Sequence, residues 1–383
     1  MNVDNETARV VPARKLNWVY DLLLIFIVLI GAYFRFTGMD WDEDQHLHPD
    51  ERFLSSVESA IEPVENLSAY FDTANSSLNP NNRGHNYFVY GTFPIFLTRY
   101  VGEWTGQVGY GPITLVGRYL SALADLLVVI VVYLAATRLY DRRVGILAAA
   151  FSAFTVLQIQ VSHFFAVDTF LNLFIFLSIY FAILIATDTR RKPVNAAPAV
   201  PEGGAEGEVM LSADDVEEMP AEPVVVETRP AFNVWHFVLF GVAFGLAMAS
   251  KLSAYPVAAI LPLAVALRMS KWKREEISKQ LLNAFVYLVV GAVVSILVFR
   301  IFQPYAFKGP GFFGFGLNEN WVSSIQSQRA QAKGEQDWPP SIQWARRTHL
   351  YSFENLFTWG LGIPMGIAAW GGLLWVAIRM LQR

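Results

Sequence analysis

Long apolar stretches alternate with polar segments along most of the chain. A helix that spans a membrane needs about 20 mostly apolar residues. Eight stretches approach or exceed this length: 16–36, 113–136, 144–161, 165–186, 234–248, 252–267, 282–302 and 357–380. Two of them, 234–248 and 252–267, are short, and the break between them contains Ser250 and Lys251, which predicts a helical hairpin. The pattern predicts an all-α polytopic membrane protein with about eight transmembrane helices.

The segments between the apolar stretches divide the chain into three parts. Residues 1–192 form a predicted N-terminal membrane module, with helices one to four and a long loop, 38–112, that carries amphipathic helices. Residues 231–383 contain helices five to eight and a second long loop, 303–356. Residues 193–230 hold six prolines, nine acidic residues and one arginine. Their low apolar content predicts a disordered insert.

Lysine and arginine follow a regular distribution among the short loops. They occur before stretch one and after stretches two, four, six and eight. Cytoplasmic loops carry an excess of these residues, so the N-terminus, the acidic insert and the C-terminus are predicted to be cytoplasmic. The two long loops then face the outside. We expect an integral protein of a bacterial plasma membrane.

Composition narrows the functional classes. Hydrophobic residues make up 54% of the chain, charged residues only 16%, and there is no cysteine. The absence of cysteine excludes a disulfide scaffold, a cysteine-ligated metal and a cysteine nucleophile. The net charge of the whole chain is −4, but the acidic insert accounts for this sign. The rest of the chain has 28 basic and 24 acidic residues and therefore a net charge of +4. Neither value indicates a nucleic-acid partner.

The first outer loop contains a dense group of ionisable residues. Asp50 and Glu51 lie at the start of a predicted helix, where a carboxylate could act as a general base or could simply complement the helix dipole. His46 and His48, together with Asp50, are candidate metal ligands. Two histidines without a third fixed ligand do not define a metal site, so no cofactor is assigned and a divalent metal stays open.

Five further polar residues lie near the predicted outer face. Asp168 and His163 precede stretch four, Lys251 lies in the hairpin, and Arg118 and Arg300 lie near the outer ends of stretches two and seven. Ionisable residues at this depth are candidates for function. The alternatives are an N-cap for Asp168, a snorkelling side chain for Lys251 and solvated or structural charge for the rest.

Six motifs occur in a fixed order from stretch one to the hairpin. They are His48-Pro49-Asp50-Glu51-Arg52-Phe53, Tyr90-Gly91-Thr92-Phe93-Pro94, Gly117-Arg118-Tyr119-Leu120-Ser121-Ala122, Arg138-Leu139-Tyr140-Asp141-Arg142-Arg143, Ser162-His163 with Asp168, and Gly245-Leu246-Ala247-Met248-Ala249-Ser250-Lys251. The order of these motifs, and the sides of the membrane on which they are predicted to lie, resemble those of GT-C superfamily glycosyltransferases. The chain is similar in particular to family 39 and the protein O-mannosyltransferase-like group, which is related to the aminoarabinose transferases.

The resemblance implies an inverting membrane glycosyltransferase of hexosyl- or mannosyltransferase type. It would move a sugar from a polyprenyl-phosphate donor to a hydroxyl of a protein, lipid or glycan acceptor on the outer face. The family's proposed base corresponds to Asp50, with Glu51 ranked second. Lys251 matches a phosphate contact and Asp168 a second acidic position, while His163, Arg118 and Arg300 are further candidate substrate contacts.

Two departures from the family pattern leave other functions open. Relatives usually carry more helices after stretch eight, so the chain is expected to be either a fragment or a short enzyme. The acidic insert is not a family motif. A transporter or flippase, or a non-catalytic subunit that binds lipid-linked sugar, remain alternatives. Transporters more often show inverted repeats and charges at the membrane midplane, whereas the charges here cluster at the outer face.

Overall fold

The computed structural model describes residues 17–189, 191–193, 228–337 and 339–382. This part of the chain is helical except for one pair of short strands. The helices before the insert are α1 Asn17–Phe36, α2 Pro49–Ala60, α3 Leu67–Tyr70, α4 Thr92–Thr105, α5 Tyr110–Leu139, α6 Arg142–Phe154, α7 Val156–Ser162 and α8 Val167–Thr187, with a 3-10 turn at Pro80–Arg83. The strands are β1 Arg191–Pro193 and β2 Thr228–Pro230.

The second half of the chain continues with seven helices. They are α9 Val234–Ser250, α10 Ile260–Met269, α11 Arg274–Phe302, α12 Glu319–Lys333, α13 Pro339–Ala345, α14 His349–Asn355 and α15 Ile363–Leu381. Further segments of 3-10 or π-helix lie at Leu252–Ala259, Pro304–Ala306 and Leu356–Gly360.

The membrane class predicted from the sequence is confirmed, but the count of eight spanning helices is not. Within the described residues, six helices are long and apolar enough to cross a membrane: Trp18–Phe36, Tyr110–Leu139, Val167–Thr187, Leu252–Met269, Arg274–Phe302 and Ile363–Leu381. Helices α6 and α7 are bent by 55° relative to each other and give a seventh span if they are taken together. The remaining predicted stretch, 234–248, corresponds to α9, which is apolar but has only 17 residues.

The bend between α6 and α7 depends on a buried arginine of α1. Thr155 has an extended backbone, which ends α6 and leaves its last carbonyls without partners inside the helix. Arg35 donates to two of these carbonyl oxygens, that of Ala153 at 2.9 Å and that of Ser152 at 3.3 Å. The guanidinium therefore satisfies the helix end that the bend exposes.

The same arginine pairs with an aspartate in the middle of α5. Arg35 Nε lies 2.6 Å from Asp125 Oδ2, and both side chains are almost fully buried. An unpaired charge inside a membrane is costly, so the two residues depend on each other. The ion pair joins α1, α5 and α6, and this contact gives Asp125 a structural role.

Helices α8, α9 and α11 pack closely beside this group. Gly245 of α9 faces Val298 and Ser295 of α11, and a Cβ atom at this glycine would lie only 2.7 Å from the Val298 Cβ. The predicted hairpin is present, because Phe237 near the start of α9 packs in one cluster with Val265 near the end of α10. The two segments therefore run in opposite directions.

Both long loops lie at one end of the helical bundle. Gly91 N donates to the Ser250 carbonyl at 2.9 Å, and Thr92 N donates to Gln303 Oε1 at 2.6 Å. A hydrophobic cluster under the loops includes Leu54 of α2, Phe165 before α8 and Tyr305 from the second loop. These contacts fix α2 on the end of the bundle, which determines where Asp50 lies.

The opposite end of the bundle carries the two strands. They pair antiparallel with Arg191 opposite Pro230, so the two flanks of the predicted insert lie side by side. The disordered insert was predicted as 193–230, but Pro193 belongs to β1 and Thr228–Pro230 form β2. The rest of the predicted insert, 194–227, lies outside the described residues. Nearby, Arg138 donates to the Thr187 hydroxyl at 2.9 Å, and this contact ties α5 to the end of α8.

We predict that Arg35→Leu destabilises the protein by about 3–5 kcal/mol, because it leaves the Asp125 carboxylate buried without a partner. The double variant Arg35→Leu/Asp125→Leu should recover part of this loss, since no lone charge remains. Thermal unfolding in detergent or nanodiscs measures both effects.

The control for this experiment is Lys308→Leu, which breaks an exposed ion pair with Glu319. It should leave the unfolding temperature unchanged. A double variant that is no more stable than Arg35→Leu alone would show that the pair does not act as a unit.

Candidate active site

The first turn of α2 presents two adjacent carboxylates in different directions. His48 caps the helix, with its Nδ1 accepting a hydrogen bond from Glu51 N at 3.3 Å, and Pro49 occupies the first helical position. Successive residues in a helix point about 100° apart. Asp50 is therefore half-buried and faces a cavity, whereas Glu51 is fully buried against α5.

Glu51 belongs to a buried network centred on Arg118. The guanidinium binds Glu51 through two hydrogen bonds of 2.8 and 2.6 Å, one from Nε and one from Nη2. It also donates to Asp42 Oδ2 at 2.8 Å and to the Met39 carbonyl at 2.7 Å. Burial alone would raise the pKa of the Asp42 carboxyl, but the bonds from Arg118 and from the Leu47 amide outweigh it and lower that pKa.

The same network reaches the start of α8. Phe165 N donates to Glu51 Oε2 at 2.7 Å, so both oxygens of Glu51 are engaged. The Phe165 ring packs on Gly117, where a Cβ atom would lie 2.2 Å from the ring. The segment before α8 is thus held against α2 and α5, three residues ahead of Asp168.

A cavity of about 360 Å³ lies beside the network. It is lined by Asp50, Val89, Tyr90, Lys251, Leu252, Ser253, Ile325, Gln328 and Arg329. The Tyr90 hydroxyl lies near the Asp50 carboxylate. Burial, together with the negative charges of Asp50 and Asp168, raises the pKa of Tyr90 well above its usual value. Tyr90 therefore stays protonated and can donate a hydrogen bond to Asp50.

Lys251 enters the cavity as one member of an ion pair. Its Nζ lies 2.8 Å from Asp168 Oδ1, and the two side chains remain 35% and 39% exposed. Asp168 lies in the first turn of α8, and Lys251 follows directly after α9. Of the residues predicted from the sequence, the structure therefore brings Asp50, Lys251 and Asp168 to one place.

The three predicted histidines lie in structural contacts. His163 bridges two backbone carbonyls, those of Ile159 at 2.8 Å and Thr37 at 3.0 Å. His46 contacts the Thr114 hydroxyl at 2.9 Å and stacks on Tyr110, while His48 caps α2. In the described parts of the chain, no group of three or more histidine, aspartate or glutamate side chains is arranged to hold a metal ion.

Arg300 is not brought to the cavity. Its guanidinium is fully buried at the end of α11 and donates to the carbonyls of Phe312 at 2.9 Å, Gly311 at 2.6 Å and Pro304 at 3.1 Å. Phenylalanine rings surround it, including Phe71 at 4.7 Å. These contacts anchor the second long loop to the helix end.

Most of the residues that line the cavity were not identified as site residues from the sequence, among them Tyr90, Gln328 and Arg329. Tyr90 was noted only as part of a motif, although an aromatic residue ahead of a Gly-Thr-Phe-Pro turn is a detectable signal. Gln328 and Arg329 lie on α12, in a loop with no motif, about 280 residues from Asp50 in the chain. Only the folded structure brings them to the cavity.

Comparisons with known proteins agree with this architecture. Residues 111–198 match a sequence model of the family described as dolichyl-phosphate-mannose-protein mannosyltransferase, a segment that includes Arg118 and Asp168. No curated protein sequence matches the chain.

Two solved structures show similarity to the chain at low sequence identity. The oligosaccharyltransferase AglB of Archaeoglobus fulgidus, in complex with an inhibitory peptide and a dolichol-phosphate, is 14% identical over 97% of this chain and 38% of its own, with a TM-score of 0.50. The protein O-mannosyltransferase Pmt1-Pmt2 complex of S. cerevisiae, bound to the sugar donor, is 16% identical over 76% of this chain and 35% of its own, with a TM-score of 0.47.

The chain therefore spans little more than a third of the length of these solved proteins. Residues 111–198 are thus similar to a mannosyltransferase family model, and the AglB structure shows a similar fold. The apolar helices mark the chain as an integral membrane protein.

We predict that Glu51→Gln destabilises the protein by about 2–4 kcal/mol. The glutamine side chain carries no charge to balance Arg118. Its NH₂ group would also face the hydrogen-bond donors that now bind the Glu51 carboxylate. Thermal unfolding in detergent measures this loss. The same substitution at the exposed Glu65 is the control, and equal unfolding temperatures for the two variants would contradict a role for Glu51 in the network.

A second prediction concerns Glu58, which is fully buried on α2 and has no hydrogen-bond partner for either carboxylate oxygen. Burial raises its pKa well above 4.5, although the nearby Arg99 opposes the change. Because the raised pKa belongs to the folded state, its stabilising contribution is complete below about pH 4.5 and is lost as pH rises through the raised pKa.

Glu58→Gln should therefore weaken the decline of the unfolding temperature with rising pH. Unfolding temperatures of wild type, Glu58→Gln and the control Glu65→Gln, measured from pH 4.5 to 8.5, give this dependence. Parallel curves for all three proteins would contradict the prediction.

Proposed function

We propose that the chain is a membrane glycosyltransferase that moves a sugar from a polyprenyl-phosphate donor to an acceptor hydroxyl, with Asp50 as the general base. The observation that supports this most directly is the shared cavity. A half-exposed carboxylate and an amino group, the latter held by a second carboxylate, line one space at the end of the bundle. The resemblance to GT-C enzymes supports the same assignment.

The reaction requires a proton acceptor next to the attacking oxygen. In a single displacement, the acceptor oxygen forms a bond to the anomeric carbon as its proton passes to Asp50. The bond from that carbon to the phosphate oxygen breaks, and its electron pair leaves with the lipid phosphate. Attack opposite the leaving group inverts the anomeric centre.

Tyr90 is well placed to position this base. Its protonated hydroxyl is near enough to Asp50 to donate to it when the substrate binds, which would orient the carboxylate and leave acceptor capacity free for the substrate. A base held in one orientation loses less entropy when the substrate approaches. Tyr90 is thus a positioning residue that acts through Asp50.

Lys251 supplies positive charge for the departing phosphate. Charge that develops on a leaving group is stabilised by a preorganised cation nearby. The contact with Asp168 at 2.8 Å holds the ammonium group at the cavity wall. The roles proposed for Lys251 and Asp168 are therefore phosphate binding and orientation of that cation.

The two carboxylates of α2, Asp50 and Glu51, are proposed to have different roles, because only Glu51 belongs to the buried network. Both oxygens of Glu51 accept hydrogen bonds from Arg118 or the Phe165 amide, so Glu51 is proposed to position α2. Arg118 shares this role. The distribution of basic residues supports a cytoplasmic N-terminus and an active site on the outer face. We further propose a hexosyl or mannosyl donor and a protein, lipid or glycan acceptor.

We predict that Asp50→Asn lowers the rate of sugar transfer by about 100-fold or more, because the amide cannot accept the proton. The assay uses purified protein in nanodiscs, a polyprenyl-phosphate sugar with a radiolabelled hexose, and candidate protein, lipid and glycan acceptors. The fold should be unaffected, since Asp50 is half-exposed and belongs to no ion pair that holds the bundle together.

The matched control is Asp40→Asn, which alters an exposed carboxylate in the same loop. It should retain the wild-type rate. Equal rates for wild type and Asp50→Asn would remove Asp50 as the base, and the absence of transfer with every donor would contradict the proposed function as a whole.

A further inference from the structure

The cavity contains a second basic side chain whose charge is not compensated. Arg329 lines the same space as Asp50 and Lys251. Lys251 is paired with Asp168, whereas Arg329 is exposed. Among the described residues that line the cavity, Arg329 is the one cation without an ion-pair partner.

Helix α12 holds this arginine at a defined position. Tyr87 donates to Gln328 Oε1 and Gln331 Oε1, and Phe88 N donates to the buried Ser324 hydroxyl at 3.4 Å. The helix is thereby fixed to the segment that continues into Tyr90. Its start is held by Asn318, whose amide nitrogen donates to the Tyr305 carbonyl at 2.9 Å.

The spacing along α12 directs one face of the helix toward the cavity. Ile325, Gln328 and Arg329 are three and four residues apart, so they lie on one face, and all three line the cavity. Lys333 follows one turn later but is 70% exposed, pairs with Glu335 and does not line the cavity. The two basic residues of this helix thus have different surroundings.

The unpaired guanidinium of Arg329 points to a ligand with negative charge, since no carboxylate that lines the cavity forms an ion pair with it. Asp50 is proposed to remain an unpaired base, and the Lys251–Asp168 pair is neutral overall. The guanidinium of Arg329 has its planar set of donors available, and this geometry matches the oxygens of a phosphate. A sugar hydroxyl would leave the positive charge without compensation.

We propose that Arg329 binds the phosphate group of the lipid-linked donor. The proposal rests on the proposed function for the identity of the donor. A sugar phosphodiester carries one negative charge, and the lipid phosphate that leaves carries nearly two at neutral pH. Arg329 therefore stabilises the leaving phosphate more strongly than it stabilises the intact donor.

The test compares binding of a polyprenyl phosphate with that of the matching polyprenol, which lacks the phosphate. Wild-type protein in neutral nanodiscs should prefer the phosphate form. Arg329→Gln should reduce this preference by about 10- to 100-fold, the range expected for a lost charge-assisted hydrogen bond. Lys333→Gln, on the same helix, should retain the wild-type preference.

Three results would overturn the proposal. The first is an unchanged preference in Arg329→Gln. The second is binding of inorganic phosphate alone with the same affinity and the same dependence on Arg329, which would indicate a site for free phosphate. The third is a transfer assay in which Arg329→Gln raises KM for the acceptor and leaves KM for the donor unchanged, which would place the arginine on the acceptor side.

This measurement separates the two proposals. Binding does not require catalysis, so a protein that transfers no sugar but loses its phosphate preference in Arg329→Gln supports the role of Arg329 and contradicts the proposed function. A protein that transfers sugar normally in Arg329→Gln, with unchanged donor binding, contradicts the role of Arg329 alone.

Discussion

The buried contact between Arg118 and Glu51 is the interaction on which the candidate site depends. It joins three parts of the chain, because Arg118 lies on α5, Glu51 on α2, and Glu51 also accepts from the amide that precedes α8. Neither charge could remain buried alone, since desolvation of an unpaired ion costs several kcal/mol. The pair therefore fixes the start of α2, and the neighbouring Asp50 then faces the cavity with little freedom of its own.

A second buried pair, Arg35 with Asp125, serves the bundle in the same way. It lies deeper along α5 and satisfies the end of α6 where the chain bends. The Arg35–Asp125 pair holds the membrane helices together. The Arg118–Glu51 pair holds α2, the loop helix that carries the proposed base. In both, an arginine with several donors reaches backbone carbonyls as well as a carboxylate, which a lysine could not do with the same geometry.

Much of the fold could be predicted from apolar length alone, because each long apolar stretch is helical over most of its length, although 144–161 is divided into α6 and α7. The exact number of spans could not, since the bend at Thr155 and the shortness of α9 depend on contacts outside their own segments. Asp50, Asp168 and Lys251 were predicted as a group and lie around one cavity. The different environments of Asp50 and Glu51 follow from helix geometry, but the partners of Glu51 do not. Arg329 carries no local signal, since its position depends on how α12 packs on residues 87–88.

The three-residue ladder between β1 and β2 has a practical consequence for the chain as a whole. Because the chain leaves and re-enters the bundle at adjacent points, the length of the intervening segment is nearly uncoupled from the packing of the helices. Each doubling of a flexible loop adds only about 0.6 kcal/mol to the cost of closing it. This position can therefore accept insertions, such as a fused reporter domain, at the end of the molecule farthest from the carboxylates of α2.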